Sequence, residues 1–263
     1  MRVHPYFDIP RPHLFGHRGA SGEAPENTLV SFERALAQGV RYLEMDCHAT
    51  SDGEIVIHHD DTLERMTDAE GLVRERTFAE LQRIDAGFRF TPDGGRTFPF
   101  RGAGVRVPRL HEVLAAFPHA RVNLEVKQAD PPIGEEVLRI IRRASAESRV
   151  LLAAENESVL AKLRALDAGT ALGSSTDDVV QFVLAGAEGR LASFTPRGHA
   201  LQVPTHALGR PLVTREFVEM AHDRGLVVHV WTINEPAEMR RLLALGVDGV
   251  MSDFPARLVA AAR

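Results

Sequence analysis

Two carboxylates set two residues apart in an apolar run, Tyr42-Leu-Glu44-Met-Asp46-Cys47, carry the strongest chemical signal in the sequence. Residues two apart on a β-strand point to the same side. If Leu43 and Met45 face a packed layer, Glu44 and Asp46 share the opposite face. Two crowded carboxylates in a low-dielectric interior repel each other unless a proton or a cation compensates. A bridging arginine is one solution. The other is a hard divalent cation such as Mg2+ or Ca2+, which takes oxygen ligands of this kind. The run Asn123-Leu-Glu125-Val-Lys127 repeats the device. Glu125 supplies a third inward acid, and Lys127 a point positive charge for a substrate oxygen or for balancing the cluster. Three inward acids favour the metal reading.

Histidines occur where acid–base chemistry would need them. His17-Arg18-Gly19 ends an apolar run, and His59-Asp60 follows a second short one. Two histidines and a cation suit displacement at phosphorus: one activates the nucleophile and the other protonates the leaving oxygen. Arg18 offers a fixed fork of donors suited to phosphate. His58 competes with His59, but alternation lets only one of the two face the site. Trp231 can wall a small-molecule pocket or simply pack. His229 reads as core, Cys47 as an inert buried thiol, and Asn27 and Asp253 as helix caps.

Positioning these groups requires a scaffold that brings several strand ends to one face. Candidate strands are His13–His17, Tyr42–Cys47, Arg121–Val126, Val150–Ala153, Thr170–Gly173, a poorly defined stretch in 191–203, Val227–Trp231 and Asp248–Met251. Helical stripes alternate with them, as in Ile133, Val137, Ile140, Ile141 and Ala144. Asn156, Thr214 and Asn234 are plausible N-caps, and Gly225 and Gly246 plausible stops. Eight strands with alternating helices, and no Gly-rich dinucleotide turn after the first, predict an α/β fold of the (β/α)8 barrel type. Such a barrel places its active site at the strand C-terminal ends. The whole chain, 1–263, then forms one barrel domain, with an insertion at approximately 49–107 after the second strand. Within it, Glu54–His58 reads as an extra strand and Thr77-Phe-Ala-Glu80 as a capping box. Phe88-Arg-Phe90 and Phe98-Pro-Phe100 around Pro-Asp-Gly-Gly suggest a hairpin.

Composition sets the outer limits. The 263 residues are 44% hydrophobic and 25% charged with a formal net charge of -5, which disfavours nucleic acid as a partner. A single cysteine excludes an intrachain disulfide and a Cys-based zinc site. The proline-bearing N-terminus has no apolar core of a signal peptide, and no run is long enough for a membrane span. A cytoplasmic protein is the resulting expectation.

Taken in order and spacing, His17-Arg18-Gly19, Pro25-Glu26-Asn27-Thr28, Glu44-x-Asp46, Asp52-Gly53 and His59-Asp60 resemble the glycerophosphodiester phosphodiesterase family. The stretches 107–114, Glu125-Val-Lys127, Trp231-Thr-Ile-Asn234 and 246–253 extend the resemblance over nearly the whole chain. It implies a barrel that hydrolyses small-molecule glycerophosphodiesters to sn-glycerol 3-phosphate and an alcohol. It also implies Glu44, Asp46 and Glu125 as ligands of Mg2+ or Ca2+, and His17 and His59 as the histidine pair. Arg18 and Lys127 would then hold the phosphate, with Trp231 near the glycerol. Both water attack and attack by the substrate's own hydroxyl, through a cyclic phosphate, occur in that family. The chain departs from its usual pattern at Ala153-Ala154-Glu155, Arg65-Met-Thr67 and Ser252.

Two other functions fit the same residues. A lysophospholipase D would use the aromatic hairpin to hold an acyl chain over the mouth. A non-catalytic phosphodiester-binding barrel would keep the fold and lose the chemistry, although every expected catalytic position is filled.

Overall fold

Along the long strands, successive side chains enter two different apolar layers. Leu43, Met45 and Cys47 join Val122, Leu124 and Val126 under the helices, while Tyr42, Phe15, Leu151 and Met251 form a separate cluster. This period of two closes a sheet around an interior core and leaves helices outside. The computed structural model describes residues 4–166 and 169–263; the first three residues of the proline-bearing N-terminus lie outside them.

The strands are β1 (His13–Gly16), β2 (Tyr42–Ala49), β3 (Ile55–Ile57), β4 (Arg121–Val126), β5 (Val150–Ala153), β6 (Ala171–Leu172) and β7 (Ala200–Val203), then β8 (His206–Ala207), β9 (Arg210–Pro211), β10 (Val227–Val230) and β11 (Gly249–Ser252). Eight of them run parallel in the order β6-β5-β4-β2-β1-β11-β10-β7. A bridge between Gly173 and Ala200 joins the two ends of that path. The result is a nearly closed barrel of eight parallel strands, as expected.

The outer helices are α1 (Leu29–Ala37), α3 (Leu110–Ala116), α4 (Gly134–Arg143), α5 (Glu157–Ala165), α6 (Thr176–Ala187), α7 (Arg215–Asp223), α8 (Pro236–Leu245) and α9 (Pro255–Ala261), with α2 (Phe78–Leu81) in the insertion. Asn156 and Thr214 cap α5 and α7 through their side chains. Gly246 ends α8 at φ 93°, a left-handed conformation that costs glycine little. The barrel's N-terminal end is filled by Tyr6 and Phe7 from the first turn, with Tyr6 edge-on to Tyr42 at 5.4 Å. Each such buried aromatic or aliphatic side chain contributes about 1.5–3 kcal/mol.

Between β2 and α3 the chain leaves the barrel. Strand β3 pairs antiparallel with the end of β2, Cys47 opposite Ile57, and Thr77 forms the expected capping box with Glu80. The expected hairpin at Phe88–Phe100 does not form. Asp93 instead accepts from the backbone N–H groups of Arg96 and Thr97. The Arg101 guanidinium lies 4.2 Å from the Phe88 ring centroid and 3.9 Å from that of Phe98. Phe90 and Phe100 meet edge-to-face at 5.4 Å. The rings pack the insertion against itself. A hairpin does occur elsewhere, as β8–β9 after β7.

Candidate active site

Strand register brings the acids together. Asp46 and Glu125 are direct partners across β2 and β4, and Glu44 faces Asn123 one pleat earlier. One carboxylate oxygen from each of Glu44, Asp46 and Glu125 lies within 4.8 Å of the others. That spacing suits a single hard cation, whose oxygen ligands lie at roughly 2.0–2.6 Å from it.

The electrostatics of the cluster are unbalanced at one corner. Lys127 Nζ sits 2.7 Å from Glu125 Oε1 and 3.4 Å from Asp46 Oδ1. Arg18 Nε is 3.4 Å from Asp46 Oδ2. Glu44, by contrast, accepts a backbone N–H from Arg18 at 2.9 Å, and its nearest basic side chain is His17, with Nε2 at 3.8 Å. Burial and then the Asp46 charge push the Glu44 carboxyl well above the usual range. Burial and Asp46 also raise Glu125, against the opposing pull of Lys127. A divalent cation at this point would relieve both, so the donor set fits one.

His17 follows β1, and its backbone N–H donates to Ser252 on β11, which places Asp253 beside it. His17 Nδ1 is 2.7 Å from Asp253 Oδ1. An ionised carboxylate only accepts, so Nδ1 carries the hydrogen, and Nε2 faces the Thr232 hydroxyl at 3.5 Å and Glu44 Oε2 at 3.8 Å. Burial disfavours the imidazolium here, but the Asp253 hydrogen bond and the Glu44 charge outweigh it and raise the His17 pKa. Asp253 is held in turn by Asn234 Nδ2 at 2.6 Å and by the Ser21 hydroxyl at 2.8 Å. These contacts, with His17, pull its carboxyl down to about 2 against the burial cost.

His59 has a carboxylate partner of its own, with Nδ1 2.5 Å from Asp60 Oδ1. Its neighbour His58 is buried with Nε2 3.0 Å from the Thr62 carbonyl oxygen. The two point apart, but both lie past the end of β3 at Ile57, so the bend of the chain there separates them and not strand alternation. His17, Arg18, Glu44, Asp46, His59, Glu125, Lys127 and Trp231 all line one cavity of about 470 Å3. The Phe88, Phe90, Phe98 and Phe100 rings do not.

Three residues assigned above as caps have other work. Asn27, at φ 57°, donates to Asp46 Oδ2 at 2.9 Å, while Thr28 caps α1. Phe254, not Asp253, occupies the cap position of α9. Asn234 links Ser252 and Asp253, and Glu235 stands at the start of α8. An Asn or Asp just before a helix carries the same local signal whether it caps or reaches across the barrel. Among the remaining histidines, His48 Nε2 lies 3.1 Å from the His59 carbonyl oxygen. His229 is fully buried, 3.2 Å from His13, as a core residue.

Residues 17–257 match the model of the glycerophosphoryl diester phosphodiesterase family. The chain belongs to that family. A glycerophosphodiester phosphodiesterase of Bacillus altitudinis is 32% identical over 252 residues, covering 94% of this chain and 96% of the relative. A human lysophospholipase D is 26% identical over 267 residues, covering 92% and 83%. A phosphodiesterase of Oleispira antarctica, solved in complex with the product sn-glycerol-3-phosphate, superposes with a TM-score of 0.77 at 27% identity, covering 98% of each chain. As a family member the chain is an enzyme, a phosphoric diester hydrolase acting on glycerophosphodiesters. Among the described residues, no helix is long and apolar enough to cross a membrane.

Proposed function

We propose that the enzyme hydrolyses small glycerophosphodiesters to sn-glycerol 3-phosphate and an alcohol, with a divalent cation, Mg2+ or Ca2+, held by Glu44, Asp46 and Glu125. The observation that carries this reading is the pairing of two carboxylate-backed histidines with an undercompensated acid cluster in one cavity. When bound, such a cation polarises a phosphoryl oxygen and screens charge building up on it. Arg18 and Lys127 neutralise the phosphate, and buried Arg18 Nε, 3.4 Å from Asp46 Oδ2, has no hydrogen-bond acceptor among the described residues. His17 and His59 divide the proton work. One Nε2 accepts the proton of the attacking oxygen as the P–O bond forms, and the other delivers a proton to the departing alkoxide. Asp253 and Asp60 keep each ring in the tautomer that leaves Nε2 available. Trp231 borders the glycerol. His17→Ala or His59→Ala should each lower kcat roughly 100-fold or more. Wild-type turnover in both variants would refute the histidine roles.

Lysophospholipids remain a second reading, on a different observation from the aromatic insertion. Beside Trp231 the cavity continues along an apolar wall of Val179, Val180, Val203, Pro204, Ala207 and Leu212, contributed by α6, β7 and the β8–β9 hairpin. A chain extending from the glycerol would run along this wall. Relative kcat/KM for glycerophosphocholine and lysophosphatidylcholine separates the two readings. A non-catalytic barrel is set aside by membership in an enzyme family.

A further inference from the structure

His59 does not sit on a barrel strand. It follows β3, in the segment between β2 and α3, so its place over the barrel depends on how that segment is docked. One chain of ionic contacts crosses the gap. Arg65 donates from Nε to Asp60 Oδ2 at 2.5 Å and from its two terminal nitrogens to both oxygens of Glu26, at 2.9 and 2.6 Å. Asp60 holds His59, as described, and Glu26 accepts from Arg18 at 3.1 Å. Arg18 then reaches Asp46. The path runs from the insertion's histidine to the barrel's acid cluster through Arg65 and Glu26. Neither of these two lines the cavity.

We propose that Glu26 and Arg65 are a positioning pair that orients the His59 ring, through Asp60, relative to the phosphate-facing Arg18. The Glu26 side chain, 13% exposed, comes from the loop between β1 and α1, whereas Arg65 belongs to the insertion. A guanidinium that holds two carboxylates at once fixes both direction and distance, which a lysine ammonium cannot do. His48 grips the His59 carbonyl independently. Loss of the pair therefore frees the imidazole more than the backbone.

The inference rests on the proposed acid–base role of His59, and a double-mutant cycle separates the two. Arg65→Met and Glu26→Gln are each made in the wild type and in His59→Ala, with thermal midpoints recorded beside kcat and KM. Each single change is expected to lower kcat at least about tenfold, the worth of roughly one charge-assisted hydrogen bond, at a nearly unchanged midpoint. Arg65→Lys should restore only part of the loss. In the His59→Ala background Arg65→Met should cost less than about twofold, because its effect passes through the missing ring. An impaired His59→Ala enzyme in which Arg65→Met and Glu26→Gln still cost their full factor overturns the positioning role alone. A His59→Ala enzyme with wild-type kcat overturns both. Should Arg65→Met not fold, Arg65→Gln takes its place in the cycle, because Glu26→Gln also removes a direct contact to Arg18.

Discussion

Asp253→Asn is the most informative single change to the His17 side of the site. The wild-type carboxylate accepts from His17 Nδ1 at 2.7 Å, from Asn234 Nδ2 at 2.6 Å and from Ser21 at 2.8 Å. An amide of the same shape has one acceptor oxygen in place of two and adds two N–H donors. Whichever way it is turned, one of its faces meets a donor, either the imidazole or Asn234. With the amide nitrogen toward the imidazole, the ring must swing away or adopt the other tautomer, with its hydrogen on Nε2 and no base facing the cavity. With it toward Asn234, the residue loses the anchor that holds it against the ring. Losing one hydrogen bond to a charged acceptor costs about 1.5–3 kcal/mol, which corresponds to roughly a 10- to 150-fold fall in kcat. The assay is release of sn-glycerol 3-phosphate from glycerophosphocholine at saturating metal, with metal affinity measured by calorimetry. Asp253 touches none of the three clustered carboxylates, so that affinity should stay within about twofold. A variant with wild-type kcat, or one whose lost activity follows lost metal binding, refutes the orienting role.

Glu44→Gln removes the acid whose ionisation is most opposed by its surroundings. Its metal-free form should unfold at a higher temperature than the metal-free wild type, while the gain on adding metal, about 2.7 kcal/mol at 100 times Kd for a single site, should largely vanish. An unchanged metal-dependent shift would argue against ligation by Glu44. Acid sensitivity should come from the barrel core. Burial lowers the pKa of His229 well below the free value, and that of His13 below it as well. Both hold fewer protons folded than unfolded, so their contribution is fully present above about pH 6.5 and declines below it, by up to about 1.4 kcal/mol per pH unit for each group. His17, with its pKa raised, acts in the opposite sense and favours the folded state below that range. Glu44 and Glu125, whose carboxyls are raised, act in the same sense as His17, so the histidine contribution is read as a difference. Between pH 7 and 5 His229→Asn should lose less stability, or gain more, than the wild type, and parallel profiles would contradict this.

The parts of the molecule legible from sequence are those governed by local periodicity. Alternation in Tyr42–Cys47 and Arg121–Val126 places Glu44, Asp46 and Glu125 inward, and β4 and β5 have the expected bounds. The separation of His58 from His59 does not come from that rule, because both lie past the end of β3 where the chain bends. What failed depended on partners distant in the chain. Asp253 lies 236 positions from His17 and Asn27 lies 19 from Asp46, so a cap-like local context hid both contacts. The Pro-Asp-Gly-Gly segment carries every turn signal of a hairpin, yet Arg101 stacks its flanking rings instead of letting strands pair. The hairpin that does form, β8–β9, has two residues per strand, too few to show a period. Its place at the apolar wall of the cavity makes it the part of the substrate pocket least visible in advance.

Turnover under metal control tests the proposed metal-assisted opening of the glycerophosphodiester bond directly. Purified protein is stripped with chelator and assayed for sn-glycerol 3-phosphate release from glycerophosphocholine and glycerophosphoethanolamine. Mg2+ or Ca2+ is then added back. The expected result is no release after stripping and recovery on addition, with recovery absent in Glu44→Gln. Full turnover in the stripped protein, or none from the metal-loaded wild type on any glycerophosphodiester, would contradict it.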